Sequence, residues 1–528
     1  MLCHGVRCDF LPEGIPSTER TMNRGREFFV FAKNAAANIA RGGASSIVAL
    51  LVPPFLTRSM SPDAFGAWSL VLQMGAYVGY FDFGIQTALA RFVAHSTERG
   101  DLEYRNRVAS SAFAILSVCG GMALLAIVAL TVLLPDLFHQ LHGSLLKDSR
   151  IALLVVGGTL AVCLPSSTFS SLFVGLQRNE IPAAMISVPR LAGAVLIVLA
   201  VRLGGGLPAM AMVMAAVNLS SFLLQYLAYR RWITSLKISF ALVSRSVVRE
   251  LVSYCFSLTV WSLSLLLVTG LDVAIVGAYR FGDVAYYAVA ATLVTFFTGL
   301  FGAVYGALGA PAAVLHARED RPGLARMVAS TTRIGMLLLL VTGVPMIFWA
   351  RPLLRLWVGA DYANHASPIL QMLLIANILR ICVSPYIIAM ISTGAQRHII
   401  LVPLLEGVVN LVSSVIGGYY LGAIGVAFGT LIGAGVSVCG HIFYTMRRNT
   451  AIDLRISSYV WSSLLRPLLC AMPIIALSLS WPALSRVVPG LISPLLAALT
   501  SVVCLYLLWS FALTSVERQK LGSRLKLG

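Results

Sequence analysis

Charge is what this sequence has least of. Asp, Glu, Lys and Arg make up 11% of its 528 residues, against about 25% in an ordinary soluble domain. So few charges cannot cover a water-exposed surface. That excludes a cytosolic enzyme, a secreted scaffold and a nucleic-acid-binding domain. Acids are the scarcer sign, with 21 Asp+Glu against 39 Lys+Arg and a net charge of +18. No polar stretch is long enough for a second, soluble domain; the longest are the N-terminus and the segment around Arg230–Glu250. The nine cysteines include no C-x-x-C pair, and seven lie in apolar runs, where Cys packs as a small hydrophobe. No metal site, cofactor or disulfide framework is expected. H-E-x-x-H, G-x-S-x-G and G-x-x-x-x-G-K-[ST] are all missing. The reading is therefore not an enzyme, and not a pump driven directly by ATP. Residues 1–21 lack the apolar core of a signal peptide. Met22 opens the basic stretch Asn23-Arg24-Gly25-Arg26 and is a candidate translation start, with residues 1–21 then untranslated or disordered.

What is present is long apolar runs. Hydrophobic residues make up 58% and mean hydropathy is +0.86. A spanning helix needs about 20 apolar residues. Fourteen candidate spans are expected, near 36–58, 64–94, 108–134, 151–174, 183–202, 207–229, 251–279, 284–315, 327–349, 367–393, 399–420, 423–446, 460–481 and 488–513. The runs are too long for strands and lack the alternation of a membrane barrel. The fold class expected is an all-α polytopic membrane protein. With the N-terminus inside, 30 of the 39 basic residues fall on the inner side, eight on the outer side, and Arg380 lies mid-span. Both termini are therefore expected in the cytoplasm.

The chain also repeats itself. Gly175-Leu176-Gln177-Arg178 recurs as Gly394-Ala395-Gln396-Arg397, and each is followed by two spans and an Arg pair, Arg230-Arg231 and Arg447-Arg448. Pro62–Trp68 matches Gly282–Ala288 at an offset of 220, and the loop His95–Asp101 matches Leu315–Arg321. Six spans separate the two starting points, so the repeats keep the same orientation and are parallel. The expected organisation is a tail (1–33), a six-helix bundle (34–232), a cytoplasmic linker (233–250) and a second six-helix bundle (251–449). Two extra helices and a basic tail (450–528) follow. Two like halves facing a cleft suggest a transporter that alternates between inward-open and outward-open states.

Ionisable groups inside spans are costly and mark function by default. Arg380 lies deep in the tenth span, and Pro385 after it frees the carbonyl of Ile381. A purely structural role is also open to it, as an Arg paired with an acid on a neighbouring helix. Asp82, in Tyr80-Phe81-Asp82-Phe83-Gly84, is read mid-way along the second span. Asp272 and Glu406 are the other buried acids. These three are the candidates for ion coupling. Arg41, Arg58 and Arg91 lie within reach of span ends, where a long side chain can snorkel. His441 is read as a packing residue, and the sequon Asn218-Leu219-Ser220 is discounted because it is buried in a span. At the repeat offset none of Asp82, Asp272, Arg380 and Glu406 maps onto a charged residue. A symmetric shell with an asymmetric interior suits a cargo with unlike ends.

Lys33-Asn34 with Asn38, Pro54-Phe55-Leu56-Thr57-Arg58, and Pro62 with Phe65-Gly66-Ala67-Trp68 form one set of motifs. Asp82-Phe83-Gly84-Ile85, Ala88, Arg91-Phe92 and the two Gly-x-Gln-Arg segments form another. Together they resemble the Wzx-type polysaccharide flippases of the multidrug/oligosaccharidyl-lipid/polysaccharide (MOP) exporter superfamily. The general pattern covers about residues 30–450 and the sharp motifs about 30–107. The resemblance implies two six-helix bundles in a V. It implies an ion-coupled flippase for an undecaprenyl-pyrophosphate-linked oligosaccharide in the bacterial inner membrane, with H+ or Na+ as coupling ion. A single chain with both halves needs no partner to form a cavity, so a monomer is expected, near the polymerase and glycosyltransferases of its pathway. Arg binds pyrophosphate bidentately and stays charged when buried, so Arg380 and Arg41 are the candidates for the head group. Arg58 and Arg91 match motif positions. Many Wzx-type proteins have twelve spans; the lipid II flippases of the superfamily have fourteen, so lipid II is a second possible cargo. Two further readings stay open: a cation-coupled drug exporter of the same fold, and a membrane-embedded glycan-assembly enzyme.

Overall fold

The computed structural model describes residues 42–43, 46–449, 452–473 and 475–476, with short pieces at 499, 502–503, 506–513 and 518. Arg41, the tail 1–33 and most of the fourteenth span lie outside the described residues, as does part of the thirteenth. The described chain is all helical, with no strand among its elements. Nine of its helices are long and apolar enough to cross a membrane, and a tenth span is a bent pair.

The helices run α1 (Ser46–Ser59), α2 (Pro62–Ala76), α3 (Ile85–Glu98), α4 (Leu102–Leu137), α5 (Gly143–Cys163), α6 (Ser167–Gly175), α7 (Glu180–Arg202) and α8 (Leu207–Trp232). The second half has α9 (Arg245–Leu265), α10 (Asp272–Tyr279), α11 (Val284–Gly306), α12 (Gly309–Ala317), α13 (Arg321–Phe348) and α14 (Ala350–Trp357). It ends with α15 (Ala360–Cys382), α16 (Ser384–Ser392), α17 (Leu401–Leu421) and α18 (Ala423–Gly440).

Local chemistry sets where these helices start. The Asp101 side chain accepts the Tyr104 N–H (2.9 Å) and caps α4. Asp320 accepts the Gly323 N–H (2.7 Å) and caps α13. A short polar side chain at this position satisfies an N–H that the helix itself cannot. Gly100 and Glu319, one residue earlier, both take positive φ. The two turns are thus alike in detail.

Several spans expected to be continuous are broken. The second stops at Ala76, tightens into a 3-10 turn over Tyr77–Asp82, and resumes at Ile85. Phe83 (φ 50°) and Gly84 (φ 82°) are both left-handed there. Gly84 tolerates this at no steric cost. The eighth span breaks between Gly306 and Gly309. The fourth and tenth break at Pro165 and at Ser384-Pro385, because proline has no N–H to continue the ladder. The seventh bends by 42° between Cys255 and Thr259, then widens into a π turn over Leu266–Gly270. Hydropathy registers only the length of an apolar run, so these breaks are invisible to it.

The two halves meet at the face that carries the loops after α1, α4, α7, α10 and α14. There α2 packs on α11 closely enough that a Cβ on Gly66 would lie 3.3 Å from the Ala285 nitrogen. The Gln140 side chain accepts the Phe281 N–H (2.7 Å) and donates to the Tyr279 carbonyl (3.1 Å). The Trp357 indole donates to the Leu50 carbonyl (2.8 Å). At the opposite face, which carries the basic loops, contacts between halves run through α9. Arg91 donates to the Tyr254 hydroxyl (3.1 Å) and Tyr104 donates to Glu250 (2.9 Å). The linker is strapped to its own half: Lys237 N–H donates to Asn106 and Ser239 N–H to Ser110 (both 3.1 Å). The segment after residue 452 docks on α13 through Thr332 and Tyr459 (3.0 Å) and through Ser463 and the Ala329 carbonyl (3.0 Å).

Candidate transport cavities and their charges

Each half carries an open cavity among its helices. The larger, about 670 Å³, is walled mainly by α1, α2, α5, α7 and α8, with Thr292 of α11 also in its lining. Its walls are mostly apolar, with Ser69, Arg190, Asn218 and Gln225 among the polar groups. Asn218 is held by a hydrogen bond to Thr159 (3.2 Å). Arg190 follows Pro189, well inside α7, and is exposed at the cavity wall. Lys/Arg counting assigns this residue to an inner loop and so passes over it. The signal is there in the chain: an Arg inside a window expected to span the membrane.

The second cavity, about 290 Å³, is walled by α9, α11 and α15 to α18. Arg380 and Glu406 both line it. Arg380 Nε donates to Glu406 Oε1 (2.6 Å) and Nη1 donates to Asn377 (3.2 Å). One residue proposed for the head group and one proposed for ion coupling are therefore a single ion pair, which is the structural role open to Arg380. The pair is well shielded, with side chains 17% and 6% exposed. His441 is buried in the same wall, its Nδ1 3.1 Å from the Thr445 hydroxyl.

Asp272 opens α10 directly after the π turn and is buried. The Tyr287 hydroxyl donates to its Oδ2 (2.9 Å). The Asn410 and Thr430 side chains also face it, and Arg380 is within electrostatic reach. Its Oδ1 is buried without a protein partner. Asn410 meanwhile donates to the carbonyls of Leu267 (3.0 Å) and Val268 (2.9 Å) in the π turn. What brings Asn410 and Thr430 so close is a glycine seam between α17 and α18. A Cβ on Gly425 would lie 1.9 Å from the Gly417 carbonyl oxygen, and one on Gly429 would lie 2.5 Å from the Ser414 nitrogen. Small residues at such spacing let helix backbones touch.

The remaining expected residues sit elsewhere. Asp82 lies at the break in the second span, and its Oδ1 accepts the Gln86 N–H (3.1 Å), so it caps α3. Arg58 is exposed near the end of α1 and Arg91 is engaged with Tyr254. Neither lines the two cavities. Arg333, which charge counting places with an inner loop, is buried and donates to the Ser462 carbonyl (3.1 Å). No cluster of three or more His, Cys, Asp or Glu suited to a metal occurs among the described residues.

Comparison with known proteins places this architecture. The family described as polysaccharide biosynthesis proteins matches residues 31–311. A Shigella flexneri protein described as an O-antigen transporter is 24% identical over 160 residues, which is 30% of this chain and 36% of that protein. This chain thus aligns with only about a third of that relative's length. Among solved structures, the lipid II flippase MurJ in an inward closed conformation superposes with a TM-score of 0.65. It is 15% identical and covers 89% of this chain and 97% of that one. An inward-facing multidrug resistance MATE transporter of the MOP superfamily superposes with a TM-score of 0.60. It is 16% identical and covers 81% of this chain and 96% of that one. The chain is a multi-pass membrane protein with the MOP transporter fold, and it belongs to the polysaccharide biosynthesis protein family.

Proposed function

We propose that this protein flips a lipid-linked oligosaccharide, carried on undecaprenyl pyrophosphate, from the inner to the outer leaflet of the bacterial inner membrane. The observation that carries the reading is a cavity of about 670 Å³ inside an apolar bundle, with Arg190 and uncharged polar side chains in its wall. A diphosphate leaves water only for strong donors; a guanidinium in a low-dielectric wall offers it paired, charge-assisted hydrogen bonds. In this reading the head group sits with Arg190, which stands in the wall of the larger cavity. The basic face lies in the cytoplasm on charge bias, so the contacts between α2 and α11 close the outward side. Rocking of one half against the other opens it.

Asp272 is the coupling site in this reading. A buried carboxylate needs a counter-charge, and while the Tyr287 hydroxyl donates to one oxygen of Asp272, Oδ1 has no protein partner. A small monovalent cation or a proton satisfies that oxygen. Asp82, engaged as a cap, and Glu406, engaged with Arg380, are supporting residues.

The test is complementation of a deletion strain that makes a surface polysaccharide. Wild type restores polymer; Arg190→Ala and Asp272→Asn, at matched membrane abundance, leave the lipid-linked unit on the cytoplasmic leaflet. Intact polysaccharide in the deletion strain rejects the reading and sends attention to lipid II or drug export.

A further inference from the structure

The linker between the halves closes over an aromatic cavity at the basic face. The cavity holds about 240 Å³ and lies beside the last turn of α8. Rings from four segments line it: Phe113 of α4, Phe169 of α6, Tyr226 and Tyr229 of α8, and Phe240 of the linker. Phe169 stacks on Tyr229 (centroids 5.1 Å apart) and Phe113 meets Phe240 (6.0 Å). Hydrogen bonds fix the linker in this position. The Ser239 and Ser244 N–H groups donate to Ser110 and Ser111 (3.1 and 3.2 Å). The Tyr229 hydroxyl donates to the Leu236 carbonyl (2.8 Å) and accepts the Ile238 N–H (3.2 Å). Packing alone does not account for the rings, because Phe240 is 70% exposed.

Arg230 is the charged residue in this lining. It is exposed, its guanidinium lies over the Tyr226 ring (6.0 Å to the centroid), and it has no acidic partner among the described residues. A basic last turn offsets the carbonyl end of its own helix. That accounts for the charge but not for the cavity beside it. The Arg pair of the second half repeats the stack, with Arg447 over Phe443 (5.6 Å) and Arg448 over Tyr444 (4.3 Å). Phe222, Tyr226 and Arg230 follow at four-residue spacing and so share one face of α8. Towards the basic face, that stripe passes from apolar ring to phenol to guanidinium. A phospholipid presents its acyl chains, ester carbonyls and phosphate in the same order. A free anion would use the guanidinium and leave the rings idle; an uncharged apolar ligand would leave the guanidinium unpaired. The cytoplasmic leaflet, where charge bias puts this face, is rich in anionic lipid. The volume, about 240 Å³, is below the roughly 300–1,000 Å³ of sites that enclose a whole small ligand. It suits a head group whose chains stay in the bilayer, and Leu223, 53% exposed one turn before Tyr226, leads there.

We propose that this cavity binds the head group of an anionic phospholipid of the cytoplasmic leaflet, with Arg230 on the phosphate and the Tyr226 and Phe240 rings against the glycerol and the first methylenes. The site is independent of the flippase reading. A lipid held there joins the linker to α4, α6 and α8, and so pins the connection between the two halves to one leaflet.

The experiment uses the full-length protein in phosphatidylcholine nanodiscs that contain no isoprenoid lipid, so a polyprenyl cargo cannot occupy the site. Phosphatidylglycerol with a diazirine near its head group is added, cross-linked peptides are mapped, and thermal unfolding checks each variant. Adducts are expected on the segments that line the cavity, above all residues 226–240. Removing one basic contact near an anionic surface weakens binding about five-fold, so Arg230→Gln is expected to cut these adducts by about that factor. Phe240→Ala, at an exposed ring, is expected to cut them as well. Arg231→Gln removes the same charge one position on, outside the lining, and is expected to leave them unchanged. Equal losses in Arg230→Gln and Arg231→Gln overturn the proposal, because the attraction is then a diffuse one to the whole basic face. Equal labelling by a phosphatidylcholine probe overturns it too, as does full competition by soluble glycerol phosphate, which marks a site for a free anion. So does a map without adducts at 226–240. If Arg230→Gln fails to fold, Phe240→Ala decides: adducts that it leaves unchanged overturn the site.

Discussion

Arg380 on α15 and Glu406 on α17 form a hydrogen-bonded ion pair at 2.6 Å, deep in the second half. Losing one member of such a pair strands the other's charge in low dielectric, at about 3–5 kcal/mol. Glu406→Gln and Arg380→Gln should each lower the unfolding temperature in detergent markedly. The double variant Arg380→Met/Glu406→Met should unfold closer to wild type than either single change. Equal and additive losses would show that the two residues do not act as a pair.

Asp82 should behave as a helix cap and not as an ion site. Asp82→Asn keeps the side-chain oxygen that accepts the Gln86 N–H, so it should retain both stability and ion-dependent transport. Asp82→Ala should cost about 1 kcal/mol. Ion dependence lost in Asp82→Asn but kept in Asp272→Asn would reverse the two roles.

Removing Arg190 should depress export more than it depresses folding. A hydrogen bond to a charged group contributes roughly 1.5–3 kcal/mol, which is about ten- to hundred-fold in rate. Arg190→Lys keeps the charge but not the planar fork and should fall between wild type and Arg190→Ala. Leaflet-resolved assay of the lipid-linked unit reads the difference.

The glycine seam gives a prediction with its own control. A Cβ on Gly429 would meet the Ser414 backbone at 2.5 Å, whereas one on Gly435, on the same helix, meets nothing within 4 Å. Gly429→Val should therefore destabilise by several kcal/mol, beyond the roughly 1–3 kcal/mol of ordinary overpacking. Gly435→Ala should be silent. Thermal unfolding of both, side by side, checks it.

Helices are easier to read from this chain than its interior is, for a physical reason. Apolar runs and the turns at Asp101 and Asp320 are local, so they read directly from the residues. The break at Phe83-Gly84 depends on backbone conformations that hydropathy does not register. The roles of Arg190 and Arg333 depend on which way a helix face turns. Charge counting puts both with the same side's loops, yet one lines a cavity and the other grips the Ser462 carbonyl. Glu406 and Arg380 are legible as buried charges; their pairing, 26 residues apart, is not.

The seam between α17 and α18 has a mechanical consequence. Backbones that touch leave no side chain to yield between them, so a push at one end is not absorbed by rotamer changes along the way. Eighteen residues of α18, at about 1.5 Å per residue, make a strut some 27 Å long. One end stands beside Asp283, whose carboxylate accepts the Ala423 N–H (3.4 Å) at the closed seam between the halves; the other stands at His441. Loosening at the closed seam is delivered to the floor of the second cavity almost undiminished, as with a rigid rod and unlike a spring.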